Sequence, residues 1–262
     1  MSEPADSTQR VRLVRPQGVS LIFIVLLLVF AGAALEVGLG RGGGIGVFVV
    51  VFVGWIISLC LHEWGHAATA WAGGDKSVEE LGYLTLNPLR YANPVMSILL
   101  PLAFLAMGGI GFPGGAVYIN TSNLRGPVWR AVVSAAGPAM NFVFLLLIAA
   151  IIAFSGVTGA LLAALAFLAF LQATALILNL LPIPGLDGFG IIQSLFPENE
   201  RPAIAAIGRW VSLAFFVLIV SAPQILQPIW QAAAALCSFA GIGSDAIGQG
   251  ETLFRFWESG PT

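Results

Sequence analysis

Residues 19–39 run for about 20 positions with Glu36 as the only charged side chain, and apolar stretches of similar length recur along the chain. Coiled at 1.5 Å per residue, such a stretch matches the roughly 30 Å hydrocarbon layer of a bilayer, where each backbone polar group must be bonded within its own segment. Helices satisfy that demand. Residues 45–73 form the second predicted span, 129–154 the third, 161–181 the fourth and 204–220 the fifth. Residues 225–240 form a sixth, or else a short interfacial helix, because Gln224, Gln227, Pro228 and Gln231 interrupt the apolar run. Composition agrees, with 58% hydrophobic and 9% charged residues and a mean hydropathy of +0.93, where a soluble domain carries about 25% charged residues. The expected class is an all-α polytopic membrane protein with about five to six transmembrane helices. Its membrane-embedded domain covers residues 19–240, between a tail at 1–18 and a polar tail at 241–262 that carries Phe254, Phe256 and Trp257 and suits the interface.

The first 18 residues are polar, contain Arg10, Arg12 and Arg15, and lack the small-residue cleavage site of a secretory leader. By the positive-inside rule they are expected in the cytosol, which returns the second span to the cytosolic side, followed there by Lys76, Arg90, Arg125 and Arg130. Cys60 and Cys237 provide no disulfide framework and read as helix fillers.

Late in the second span stands His62-Glu63-Trp64-Gly65-His66, which holds both histidines of the chain. Residues at i and i+4 share a helical face, so both imidazoles reach one Zn²⁺ while Glu63 sits beside the open position as a general base. Metal-assisted peptide hydrolysis is the implied chemistry. Chance placement is a poor rival explanation, since each charged group at membrane depth costs roughly 2.5–3.5 kcal/mol on translocon scales. A catalytic zinc needs a third protein ligand, and with no histidine left it must be a carboxylate or a cysteine.

Asp187 is the best candidate. It ends Asn179-Leu-Leu-Pro-Ile-Pro-Gly-Leu-Asp-Gly188, where two prolines and two glycines open the backbone, as happens at membrane depth only beside protein or water. A loop residue capping a turn is the alternative reading. Asp75, Glu79 and Glu80 are weaker candidates, explained as solvated loop charges. Early in the third span, Ala136-Gly-Pro-Ala-Met-Asn141 combines small residues that permit close helix approach with a polar side chain at membrane depth. Asn141 has two readings, an interhelical hydrogen-bonding residue or an amide that donates to a developing oxyanion.

These three motifs, in this order and on separate apolar segments, resemble those of the site-2 protease family, the intramembrane zinc metalloproteases of regulated intramembrane proteolysis. The resemblance covers residues 50–192 and is highly specific in its HExxH and LDG elements. It implies one Zn²⁺ per chain held by His62, His66 and Asp187, with Glu63 activating the water and Asn141 assisting near the transition state. Residues 84–89, Leu-Thr-Leu-Asn-Pro-Leu, further resemble the compact bacterial branch. That likeness implies a bacterial inner-membrane enzyme whose partners are the bilayer and a membrane-spanning protein substrate, such as a tethered transcription regulator, an anti-sigma factor or a remnant signal peptide. The usual continuation there carries a His and an Asp, whereas this chain has Tyr91-Ala-Asn-Pro94, so any auxiliary role of those two groups is in doubt.

If all three motifs are to meet, residues 74–127 must begin and end on the same membrane side. Residues 95–111, interrupted by Pro101 and several glycines, are therefore expected as a re-entrant segment and not a crossing. Residues 81–86 and 116–120 read as short β-strands flanking it, an edge on which an extended substrate could pair, or else as ordinary loop packing. No polar stretch between spans approaches the roughly 50 residues of an inserted domain, and no basic patch or phosphate-binding glycine loop points to nucleic acid or nucleotide. A metal transporter or non-proteolytic scaffold would use the same ligands. Glu63 argues against that alternative, because a transport site needs ligands but no base between them.

Overall fold

The computed structural model describes residues 18–91, 117–197 and 199–258. The predicted re-entrant segment, the departure at residues 92–93 and most of the N-terminal tail lie outside these residues. Among the described residues, four helices are long and apolar enough to cross a membrane: α1 (Leu21–Gly38), α2 (Gly43–Gly73), α5 (Pro127–Ser155) and α6 (Gly159–Asn179). Between α2 and α5 lie two single-turn helices, α3 (Ser77–Glu80) and α4 (Pro88–Tyr91).

Burial orders the bundle. In the most apolar stretch of α6, 72% of residues are buried, against 11% in α1, so α6 is the central post and α1 an outer one. Fully buried Ala163, Ala164, Ala166, Ala169 and Ala173 give α6 a surface without bulk, on which neighbouring helices can approach closely. α1 turns Leu21, Ile24, Leu28 and Leu35 outward, as a helix apolar on every side does in lipid. Ser20 caps it, its hydroxyl oxygen accepting from Phe23 N–H at 3.1 Å. A glycine turn joins α1 to α2, with Gly40 and Gly42 in the left-handed region at φ 75° and 81°. At 31 residues α2 is about 46 Å long, which lets one end lie at an interface while its middle crosses the core.

The excursion between α2 and α5 leaves and returns at one end of the bundle. Arg125 N–H donates to the carbonyl of Gly73 at 3.1 Å, and its guanidinium reaches the carbonyls of Ala72 and Gly73. This is the same-side geometry that the motif positions require. Residues 81–86 do not form the expected strand. Gly82 sits in the left-handed region, Tyr83–Thr85 coil into a 3₁₀ turn, and Thr85 bonds back to the carbonyl of Gly82 through both its N–H and its hydroxyl. Local bonds have taken the groups that a ladder would have used. Residues 117–120 are irregular, and no strand is present among the described residues.

After α6 the chain breaks at the proline loop and enters α7 (Asp187–Gln193), then α8 (Arg201–Ser221), a 3₁₀ turn at Pro223–Leu226 and α9 (Gln227–Phe239). Residues 213–219 and 223–239 meet at 102°, a bent pair that makes a fifth span if the two halves are counted together. With 13 residues, α9 is about 20 Å long and too short to form the sixth crossing alone. The corner packs Ile219 and Leu226 on Leu178, with Leu181 and Leu186 of the proline loop beside them.

Residues 241–262, expected as a tail, contain α10 (Ser244–Phe254), which packs into the bundle instead. Gly250 lies directly on the Ala163 carbonyl, and Phe254 is fully buried, its ring 5.1 Å from Phe48 and 5.5 Å from Phe167. Phe254 thus fills the space between α2 and α6, and Phe256 and Trp257 after the helix pack on Phe48 of α2.

Candidate metal centre

Two helical faces with the same four-residue rhythm meet to make the site. Ser58, His62 and His66 stack along α2, and Val133, Gly137 and Asn141 along α5, at the i, i+4, i+8 spacing that lines one side of a helix. His66 pairs with Val133 and His62 with Asn141, so the helices run antiparallel. The imidazole of His66 donates through Nδ1 to the Val133 carbonyl at 2.7 Å, and that of His62 through Nδ1 to Asn141 Oδ1 at 2.6 Å. With each Nδ1 carrying the proton, each Nε2 keeps its lone pair for the space between the rings.

Asp187 enters that space from the start of α7. The proline loop turns sharply after α6, with Gly185 at φ 93°, and Gly188 packs so tightly on the Leu180 carbonyl that no side chain fits there. Its carboxylate oxygens stand 3.2 Å from His62 Nε2 and 3.2 Å from His66 Nε2, and the two Nε2 atoms are 3.1 Å apart. A tetrahedral ion with bonds of about 2.05 Å would space its ligand atoms about 3.3 Å apart, close to the spacing of the two nitrogens and of each nitrogen from its nearer carboxylate oxygen. They are the one such group of His, Cys, Asp and Glu among the described residues.

Gly137 supplies a second observation that fits an ion. A Cβ built there would fall 2.6 Å from His62 Nε2 and closer still to His66 Nε2. A residue with no side chain thus lets both nitrogens approach the α5 backbone and keeps the space around them open to an ion. Gly65, the glycine of HEWGH, serves the approach of the helices, since a Cβ there would meet Ala136 O at 2.8 Å and Met140 Cγ at 2.7 Å.

Glu63 is buried and stands outside the three-ligand group. Its Oε2 accepts from the main-chain N–H of Val117 at 3.0 Å, so the returning excursion touches the carboxylate that the motif assigns as base. Asp75 anchors this excursion. Its carboxylate accepts from Ser77 N–H and hydroxyl, Asn120 N–H and Asn123 amide, at 3.2, 2.6, 2.7 and 3.1 Å. Burial pushes the Asp75 pKa up, but the hydrogen bonds from Ser77, Asn123 and Asn120 outweigh it and hold the carboxyl below the usual range. Asp75 is therefore a buried structural carboxylate and not a solvated loop charge. Glu79 accepts from the exposed indole of Trp71 at 2.9 Å, and neither it nor Glu80 joins the metal-binding group. Cys60 and Cys237 are both fully buried.

Asn141 is buried, and both ends of its amide are engaged. Oδ1 faces His62, while Nδ2 donates to Gln172 Oε1 at 3.0 Å and to Ser58 Oγ at 3.2 Å. The interhelical reading describes these contacts. Beside them a cavity of about 20 Å³, room for one water, is lined by Trp55, Ser58, Leu59, His62, Asn141, Ala175 and Asn179. Sequence reasoning did not single out Ser58, Gln172 or the Val133 carbonyl. Ser58 had a signal, a hydroxyl one turn before His62, and Gln172 another, an uncompensated amide within an apolar span. A backbone carbonyl has no sequence signal.

No family model matches the chain, and no solved structure matches it. Curated relatives do. Rip2 of Mycolicibacterium smegmatis, named as a candidate zinc metalloprotease, is 46% identical over 218 residues, covering 82% of this chain and 83% of the relative. Rip2 of Mycobacterium tuberculosis, named likewise, is 45% identical over 215 residues, with coverage of 81% and 82%. YwhC of Bacillus subtilis, also named as a candidate zinc metalloprotease, is 32% identical over 179 residues, 63% of this chain and 78% of its own length. Identity at that level along four-fifths of both chains, together with the HExxH helix and the LDG loop meeting in one buried site, places the protein: the chain belongs to the site-2 protease family.

Proposed function

We propose that this protein is an intramembrane zinc metalloendopeptidase, which cuts a membrane-spanning protein substrate in or near its transmembrane segment. The observation that carries this reading is the meeting of His62, His66 and Asp187 around a space kept clear by Gly137, with a separate buried carboxylate, Glu63, next in sequence to a ligand. The three ligands would hold one Zn²⁺, which supplies Lewis acidity toward a water and the scissile carbonyl. Glu63 takes the proton from the water and returns it to the leaving amine. Asn141 holds His62 in place, and the Val117 N–H steadies Glu63.

The depth of the site supports cleavage within the membrane. Trp71, with Lys76 stacked 3.3 Å from its ring centre, and Trp129 beside Arg125 have the chemistry of an interfacial belt at the end of α2 and the start of α5. His66 and His62 precede Trp71 by five and nine residues, about 8 and 14 Å along the helix axis. With Arg10, Arg12 and Arg15 holding the N-terminus in the cytosol of a bacterial cell, that belt faces the cytosol and water enters from there.

The experiment compares wild type with Glu63→Gln in detergent, measuring bound zinc and cleavage of single-span model substrates. Zinc in both with cleavage only by wild type is expected. Loss of zinc in Glu63→Gln, or cleavage that survives it, would refute Glu63 as base, and metal transport surviving the substitution would favour a transporter.

A further inference from the structure

Gln172 lies in the middle of α6, fully buried, and makes no contact with the three metal-binding side chains through any hydrogen bond of its own. Its Oε1 nevertheless collects two donors, the Asn141 amide at 3.0 Å and the Ser58 hydroxyl. Its Nε2 is buried with no hydrogen-bond partner among the described residues. A buried amide with one saturated end and one orphaned end is held in the costlier way, since an unmet buried donor costs about 1–3 kcal/mol. Turning the amide over would not be neutral for its neighbours.

The direction of each bond follows from the donors and acceptors available. Oε1 of Gln172 can only accept, so the Asn141 group facing it must be the NH₂ end. Ser58 donates its single hydroxyl proton to Gln172 and accepts the other Asn141 N–H at 3.2 Å, which fixes Asn141 a second time. Asn141 must then present Oδ1 to His62, and His62 must carry its proton on Nδ1, leaving Nε2 free for a metal. With the Gln172 amide reversed, Asn141 would reverse too, offer N–H to His62 Nδ1, and move the imidazole proton to Nε2. That tautomer cannot bind a metal through Nε2.

We infer that Gln172, with Ser58, is a positioning residue that selects the metal-binding tautomer of His62 by fixing the orientation of the Asn141 amide. The inference rests on the proposed metal site and deepens it. Partners that bond a ligating imidazole directly, as Asn141 does, usually change metal affinity by about 10–100-fold, and losing the hold on Asn141 puts that amount at stake.

The test is zinc affinity of the full-length protein in detergent, by competition with a chromophoric chelator, with thermal melting of the metal-free form as the folding control. Gln172→Leu, which removes the acceptor, should weaken zinc by about 10–100-fold, and Gln172→Glu, which keeps an acceptor oxygen there, by clearly less. In an Asn141→Asp background the group facing His62 can only accept, whichever way it turns, so adding Gln172→Leu should cost no further affinity. A merely structural role would give the same loss in both backgrounds. Unchanged affinity in a folded Gln172→Leu, or an equal loss in the Asn141→Asp background, overturns the inference. If Gln172→Leu does not fold, Ser58→Ala carries the same comparison. His66→Ala separates this from the underlying reading: zinc retained by His66→Ala, or absent from wild type, overturns the metal site and the inference together, whereas zinc lost in His66→Ala and unaltered by Gln172→Leu overturns the inference alone.

Discussion

A methyl group added at Gly137 would collide with both nitrogens proposed to bind the metal. Gly137 has ordinary right-handed helical geometry, so alanine there gains about 0.8–1 kcal/mol of helix propensity and brings no backbone strain. The effect therefore comes from space alone. The new Cβ would lie 2.6 Å from His62 Nε2, where ordinary contact begins at 3.4 Å, so the ring must retreat by about 0.8 Å, and His66 by more. Both rings are held from behind by bonds of 2.6 and 2.7 Å to Asn141 and Val133. Retreat is blocked unless α2 and α5 separate, an overpacking cost of about 1–3 kcal/mol. Zinc needs both nitrogens at bonding distance at once, and displaced rings cannot meet that, so Gly137→Ala should lower zinc affinity by at least about 100-fold, or 2.7 kcal/mol. Chelator competition and metal content per chain measure this, with melting of the metal-free protein as control. A folded Gly137→Ala protein that binds one zinc with wild-type affinity would refute the placement of the ion in front of this glycine.

If the Asp187 carboxylate serves as the proposed ligand and not as a packing group, Asp187→Ala should abolish stoichiometric zinc and cleavage while the metal-free protein melts as wild type does; retained zinc would point to another third ligand. Removing zinc from wild type with a chelator should lower thermal stability in a concentration-dependent way, by about 4 kcal/mol relative to a metal concentration 1,000 times Kd, and Asp187→Ala should show no such shift. Asp75 has a depressed pKa, so its contribution is complete above the unfolded value near 4 and is lost as pH falls through the lower folded value. Melting temperature should therefore drop on acidification below about pH 4, and Asp75→Asn should flatten that drop while costing about 1–3 kcal/mol at pH 7; parallel pH profiles would contradict it. Gly250→Ala would drive a methyl into the Ala163 carbonyl, so it should destabilise the bundle by about 1–3 kcal/mol although it lies in a segment that reads as a polar tail; a neutral effect in a melting experiment would show that α10 does not dock as described.

The four long helices were legible because about 20 apolar residues in lipid permit one backbone solution, and the limits at residues 38, 73, 155 and 179 fall within a few residues of those read from composition. His62 and His66 were legible because i and i+4 is a local relation, and Asp187 because prolines and glycines announce a break that a membrane rarely tolerates. What escaped the sequence depends on contacts between distant residues. Nothing local says that Gln172 lies 3.0 Å from Asn141, or that the Val117 N–H reaches Glu63. The docking of α10 was hidden because Ser244, Asp245, Gln249 and Glu251 give it a polar sequence, while Phe254 and Gly250 provide the packing. Composition leaves residues 225–240 open between a crossing and a short interfacial helix, because hydropathy cannot register a bend of 102°.

The stem at Arg125 and Gly73, reinforced by Asp75 and Asn120, has a consequence for chain length. It pins both feet of the excursion to one helix end, while the bond from Val117 to Glu63 ties the returning segment to α2. The length of chain before residue 117 is what the stem leaves open, and doubling it would cost only about 0.6 kcal/mol in closure entropy. Insertions between residues 91 and 117 should thus leave the pair of histidines and its supporting amides as they are.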